Sequence, residues 1–185
     1  MTGKERLEKL LNGEKVDRMP ISPFVFHCNV YEMFDYVPDI NNHLLPEDFD
    51  LAGKYENYMC KKVHEKGAYV VYHNCGDAQK VMHLYNEMDM DVWGYVTTAP
   101  FGDVVLDDAL ATIRPDTALR GNIDQVEFLR TATPAQVKER VKQLLDKVKS
   151  RGNWILSTSD FPFDGQPYEN LHAFTEAGLA YGQYS

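Results

Sequence analysis

The chain has 185 residues, with 28 acidic against 19 basic side chains for a formal charge of −9, and is 44% hydrophobic and 25% charged. These proportions belong to a globular chain rather than a disordered one, and the length suits one domain with a sizeable core. The acidic balance, with no Lys/Arg run longer than Lys61-Lys62, argues against a nucleic-acid partner, and no stretch approaches the roughly 18 apolar residues of a membrane span. Met1 to Leu11 is a charged amphipathic segment without a signal-peptide core, and three cysteines (Cys28, Cys60, Cys75) make no disulfide framework. A cytoplasmic protein with reduced thiols is expected.

Thr2 to Asn12 reads as a helix: Thr2 and Glu5 have capping-box spacing, Leu7, Leu10 and Leu11 share a face, and Gly13 ends it. Met19 to Phe26 carries two prolines among apolar residues and suits an edge strand. Residues 27–45 have no clean period, whereas Pro46 to Lys66 reads as a helix with Phe49, Ala52, Met59 and Val63 on one face. Four apolar runs follow: AYVVYH at 68–73, DVWGYV at 91–96, TALRGN at 117–122 and NWILSTS at 153–159. Between and after them, helices are expected over Asp77 to Met88, Thr133 to Ser150 and Tyr168 to Tyr181; the second opens on a Thr133/Gln136 capping box. Strands alternating with helices imply parallel pairing, hence an α/β fold, and strands without strict alternation are covered on both faces. A closed (β/α)8 barrel takes about 250 residues, so a barrel built from four to five parallel strands is incomplete.

Polar clusters follow three of the runs, at the carboxyl ends where α/β proteins hold their sites. His73 and Cys75, two apart on an extended segment, project to the same face, and imidazole nitrogen with thiolate sulfur favours zinc. The competing reading makes His73 a packed core residue and Cys75 a small buried hydrophobe. Gly121, Asn122 and Asp124 form the second cluster, and Ser157 to Asp160 the third, continuing to Asn170. Short polar residues here bind a substrate or cap a helix, and for Asp124 and Asn170 both readings stay open. His27-Cys28 adjoin rather than alternate, and His43, His64, His83 and His172 lack partners at ligand spacing, so all are read as structural or solvated.

The segments TGKERLEKLLNGEKVDRMPISPF, LLPEDFDLAGKYENYMCKKVHEKG, VVYHNCGD, FGDVVLDDAL, LRGNIDQVEFL, TPAQVKERV, NWILSTSD and PYENLHAFTEAGLAYGQY, in this order, resemble the uroporphyrinogen decarboxylase (URO-D) superfamily, and more closely its corrinoid-dependent methyltransferase branch. The resemblance implies a TIM-barrel family fold in a single domain over 1–185. Residues 1–26 would be the family's opening segment and 44–185 its second-half units, so the chain reads as internally shortened. It further implies that His73 and Cys75 hold zinc, with Asp160 standing where the family's further Cys would be. Gly121, Asn122 and Asp124 would shape the substrate pocket, and a methylcorrinoid on a partner protein would supply the methyl group to a thiol or similar small-molecule acceptor. Missing strands would favour a homo-oligomer. Two other readings accompany this one: a non-catalytic half-barrel module for binding or assembly, and a true uroporphyrinogen decarboxylase. The latter suffers because MPISPFVFHCNVYEMF lacks the arginines that hold a tetrapyrrole's carboxylates.

Overall fold

The computed structural model describes residues 1–20, 56–160 and 165–184. Four parallel strands lie side by side in chain order: β1 (Val71–His73), β2 (Val92–Gly94), β3 (Ala118–Ile123) and β4 (Trp154–Thr158). A parallel sheet whose successive strands are all neighbours never reverses its winding, which is barrel rather than doubly wound topology. The helices are α1 (Gly3–Leu11), α2 (residues 56–64), α3 (Leu106–Thr112), α4 (Phe128–Thr131), α5 (Pro134–Val148) and α6 (Tyr168–Tyr181). Among the described residues no helix is long and apolar enough to cross a membrane.

Side chains alternate across a strand, so each strand divides its residues between two faces. On the convex face Trp93, Leu119, Ile123, Trp154 and Leu156 join the main core. α5 contributes Val137, Val141, Leu144, Leu145 and Val148 to it, the stripe its sequence period predicts, and lies along α6. Ala173, Ala177 and Gly178 on α6 are buried and small, which lets the two helices approach closely. The Thr133/Gln136 capping box is formed, as is the Thr2/Glu5 box on α1.

On the concave face Val92, Ala118 and Ile155 pack against Leu10, with Leu7, Leu11 and Val16 around them. α1 therefore closes the amino end of the sheet with its apolar stripe. Arg6, buried, holds that plug by a two-point pairing with Asp17, Nε to Oδ1 at 2.6 Å and Nη2 to Oδ2 at 2.9 Å. The chain then runs along β4, where the Leu156 amide donates to the Pro20 carbonyl at 3.1 Å. The rest of the strand expected over Met19 to Phe26 lies outside the described residues, as do His27-Cys28, residues 27–45 and the first part of the Pro46 to Lys66 helix.

One expectation is corrected. Asp77 to Met88 is not an α-helix: only Met82–Glu87 is helical, and it is a 3-10 helix. Met82, Tyr85 and Met88 are buried at intervals of three, which is the period at which side chains eclipse in a 3-10 helix. Two helices are additional to those read from the sequence, α3 and the one-turn α4. The plug on the concave face gives a stability prediction. Leu10→Ala is expected to lower the unfolding free energy by about 2–4 kcal/mol in urea denaturation, while Met59→Ala, at a side chain 60% exposed, changes it by less than about 0.5 kcal/mol.

Candidate metal centre

β1 ends at His73, and the two residues beyond it turn Cys75 back toward the imidazole, Nε2 to Sγ being 3.2 Å. β4 ends at Thr158, and Asp160 two residues on brings a carboxylate to the same spot. One ligand atom from each of His73, Cys75 and Asp160 lies within 4.8 Å of the other two. This is the group of three or more such side chains that could hold a metal among the described residues. Two ligands of one tetrahedral zinc, at standard Zn–N and Zn–S lengths, stand about 3.5 Å apart, so the donor types and the 3.2 Å between His73 and Cys75 fit zinc.

The surroundings explain how the three are held. The Asn74 amide donates to the Gly94 carbonyl at 3.0 Å, and the Asn74 side-chain amide donates to the Tyr85 hydroxyl. Asp103 accepts from the Ala78 and Gln79 amides at 2.7 and 2.8 Å with one oxygen, capping the loop from a distance. Gly102, next to it, passes so close to this loop that a Cβ there would stand 2.5 Å from the Gly76 carbonyl oxygen and 2.4 Å from that of Thr97, so the approach requires glycine. On the other side the Asp160 amide donates to Gln125 Oε1 at 3.1 Å, and the Ser159 amide to the Ile123 carbonyl at 2.9 Å.

Tyr95, buried just past β2, sets its ring edge-on to His73 with centroids 5.2 Å apart, and the Arg120 guanidinium lies over its face at 4.6 Å. Burial lowers the His73 imidazole below the ordinary histidine value; Asp160 opposes that shift and Arg120 adds to it. Burial also pushes the Cys75 thiol up to about 11, reinforced by the charge of Asp160 and a hydrogen bond to it. Neutral imidazole is the ligating form, whereas the thiol gives up a proton on binding a metal.

The residues expected to bind substrate are placed differently from one another. Asn122 shares the concave face with Arg120 and pairs in register with Ser157 of β4. Gly121, at φ +144°, faces the other way, where Val96 backbone atoms stand 3.5 Å from the position of a Cβ. Asp124 spends both carboxylate oxygens on the amides of Val126, Glu127 and Phe128 at the start of α4. Asn170 donates to the carbonyls of Leu129 and Ala132 at 2.8 and 2.7 Å, tying α6 to the end of α4.

Tyr95, Asp103 and Gln125 were not among the residues read from the sequence as functional. Tyr95 had a usable signal, since it follows an apolar run at a carboxyl end. Asp103 and Gln125 had none, because each acts on a loop 24 to 35 residues away. Asp103→Ala would leave the Ala78 and Gln79 amides without that acceptor. It is expected to cost about 1–3 kcal/mol in denaturation and to speed amide exchange at 78 and 79 above the rise that global destabilisation produces.

Comparison with known proteins adds two findings. A sequence model of the uroporphyrinogen decarboxylase (URO-D) family matches residues 24–181. Among solved structures, the fold is similar to that of a methyltransferase from Methanosarcina mazei, with a TM-score of 0.63 and 16% sequence identity over 75% of this chain. This chain spans 38% of that structure, so it is short beside its neighbour. Among curated protein sequences none matches.

Proposed function

The chain belongs to the uroporphyrinogen decarboxylase family, and from that membership and the cluster of His73, Cys75 and Asp160 we propose that it is a zinc-dependent methyltransferase moving a methyl group from a corrinoid protein to a thiol. The single observation that carries the reading is the convergence of nitrogen, sulfur and oxygen donors at the carboxyl end of the sheet. The fold neighbour's name supports the methyltransferase branch over the carboxy-lyase one. So does the concave wall, where Arg120 is the arginine that the described strands contribute, whereas a porphyrinogen's several carboxylates call for several cations.

His73, Cys75 and Asp160 would be the protein's ligands. Zinc, when bound with three protein ligands, supplies Lewis-acid stabilisation of a thiolate at neutral pH. In the transfer the acceptor sulfur's lone pair forms the new S–C bond. The leaving group would be the donor protein's corrinoid, which would keep the bonding electron pair, and the thiol proton would pass to solvent. The chain's own contribution is positional: the Asn74 and Asp103 contacts fix the loop that carries Cys75, Gln125 fixes Asp160, and Tyr95 fixes the plane of His73. Of the residues expected at the substrate pocket, Asn122 lies on this concave face, where it would offer an amide to the acceptor.

Zinc titration of metal-stripped protein tests this. Cys75→Ser and Asp160→Ala are each expected to weaken binding by more than about 100-fold, beyond what loss of an outer hydrogen-bond partner costs, while Cys60→Ser on α2 leaves it unchanged. Equal, negligible binding in all four proteins would overturn the metal role and favour the non-catalytic half-barrel.

A further inference from the structure

We infer that His64 is a pH-sensitive latch, fastening the end of α2 and the lead-in to β1 against the start of β2. The inference stands apart from the proposed chemistry. The ring has two acidic neighbours: Nε2 is 2.8 Å from Asp91 Oδ2 and Nδ1 is 3.4 Å from Asp89 Oδ2. Ionised carboxylates only accept, and a neutral imidazole carries one N–H, so a ring that meets a carboxylate at each nitrogen satisfies both only as the doubly protonated cation. The ring is 31% exposed, open enough to exchange its proton with water.

Asp91 is the hub on which the latch closes. Its Oδ2 also accepts the Val70 amide at 2.6 Å, its own amide donates to the Val70 carbonyl at 3.1 Å, and its carbonyl accepts from Ala118 at 2.8 Å. One residue thus ties the segment entering β2 to α2 and the lead-in to β1 through its carboxylate, and to β3 through its carbonyl. Two further contacts fasten α2: Asn57, which does not titrate, donates to the Glu87 carbonyl at 3.2 Å and accepts from the Asp89 amide at 2.9 Å, and Glu56 is hydrogen-bonded to Tyr72 of β1, its carboxyl held above the ordinary value by burial. Losing one proton from His64 leaves the neutral ring a single N–H, which serves Asp91 alone; the Asp89 contact and the charge attraction are given up, so the carboxyl end of α2 and the turn at 65–67 loosen while Asn57 keeps the other end docked.

Among the described residues, Asp89 and Asp91 are the charged groups that face the ring from the segment packed against α2. On α2 itself Cys60, one turn back, is buried with its thiol pushed up and hence neutral, and just beyond the helix Glu65 is paired with Lys62. The Asp91 hydrogen bond is the largest influence on His64 and raises its pKa, with both aspartate charges adding and burial opposing. A raised value in the folded state places the latch's full stabilisation below the ordinary histidine value of about 6.5, and loses it as pH climbs through the folded value.

The test is hydrogen exchange of the full chain, corrected for intrinsic pH dependence, read at the amides of Gly67, Ala68 and Val70. Between pH 6 and pH 9, protection in the wild type is expected to fall at least about threefold more than in His64→Gln. Identical pH profiles in the two proteins would overturn the latch. If His64→Gln does not fold, Asp89→Asn gives the second reading: it leaves Asp91 in place, and the exchange transition should move to lower pH. An unmoved transition, or an NMR titration of the wild-type His64 ring with its midpoint at or below about 6.5, also overturns it.

Discussion

The curl of the sheet is the constraint on which the site depends. Among the described residues β1 and β4 are its two outermost strands, and in a flat sheet with ordinary strand spacing their axes would stand about 14 Å apart. The donor atoms of His73 and Asp160 nevertheless lie within 4.8 Å of one another. The arc bends the carboxyl ends toward each other, and short loops past β1 and β4 supply the remaining reach. Parallel strands twist in one sense, so a singly wound sheet curls toward closure even when fewer than eight strands build it. Part of a barrel therefore suffices to gather the three donors.

The two ends of the concave face are treated oppositely, and the order of residues along the strands explains it. Val92 and Ala118, paired in register, and Ile155, level with Arg120 on the outer side of β3, form an apolar patch that needs a cover, which Leu10 provides. Further along β3 and β4 come Arg120, Asn122 and Ser157, with His73 on β1 level with Gly94 and Arg120. Gly94 leaves room in this row: a Cβ there would already stand 3.4 Å from Arg120 Cδ. The guanidinium then rests on the Tyr95 ring, whose edge meets His73, so a cation and an imidazole share one aromatic spacer.

Loop fixation recurs through side chains that replace a regular hydrogen-bonding ladder. Arg151 donates to the carbonyls of Leu110, Ile113, Arg114 and Thr117, closing the end of α3. Asp103 does the complementary work for the amides of Ala78 and Gln79, and Asp124 for those opening α4. Each leaves fewer backbone groups unsatisfied where regular structure ends, and the first two reach across from distant segments.

The sequence by itself determined the elements whose causes are local. The two capping boxes, the five-residue stripe of α5 and the four apolar runs are written within a few residues of where they act. His73 and Cys75 were legible as a pair because residues two apart on an extended chain share a face. Asp160, 85 residues from Cys75, was expected beside them through the family resemblance and not from any local pattern, and the curl of the sheet is what brings it near. Only the tertiary structure decided that Asp124 caps α4, a use its residue type allows equally with substrate binding. The lone His64 gained its two aspartates the same way, across 25 and 27 residues. Periodicity records which face a residue occupies, whereas the identity of its neighbour across the fold depends on how strands stack and curl, and no short-range pattern encodes that.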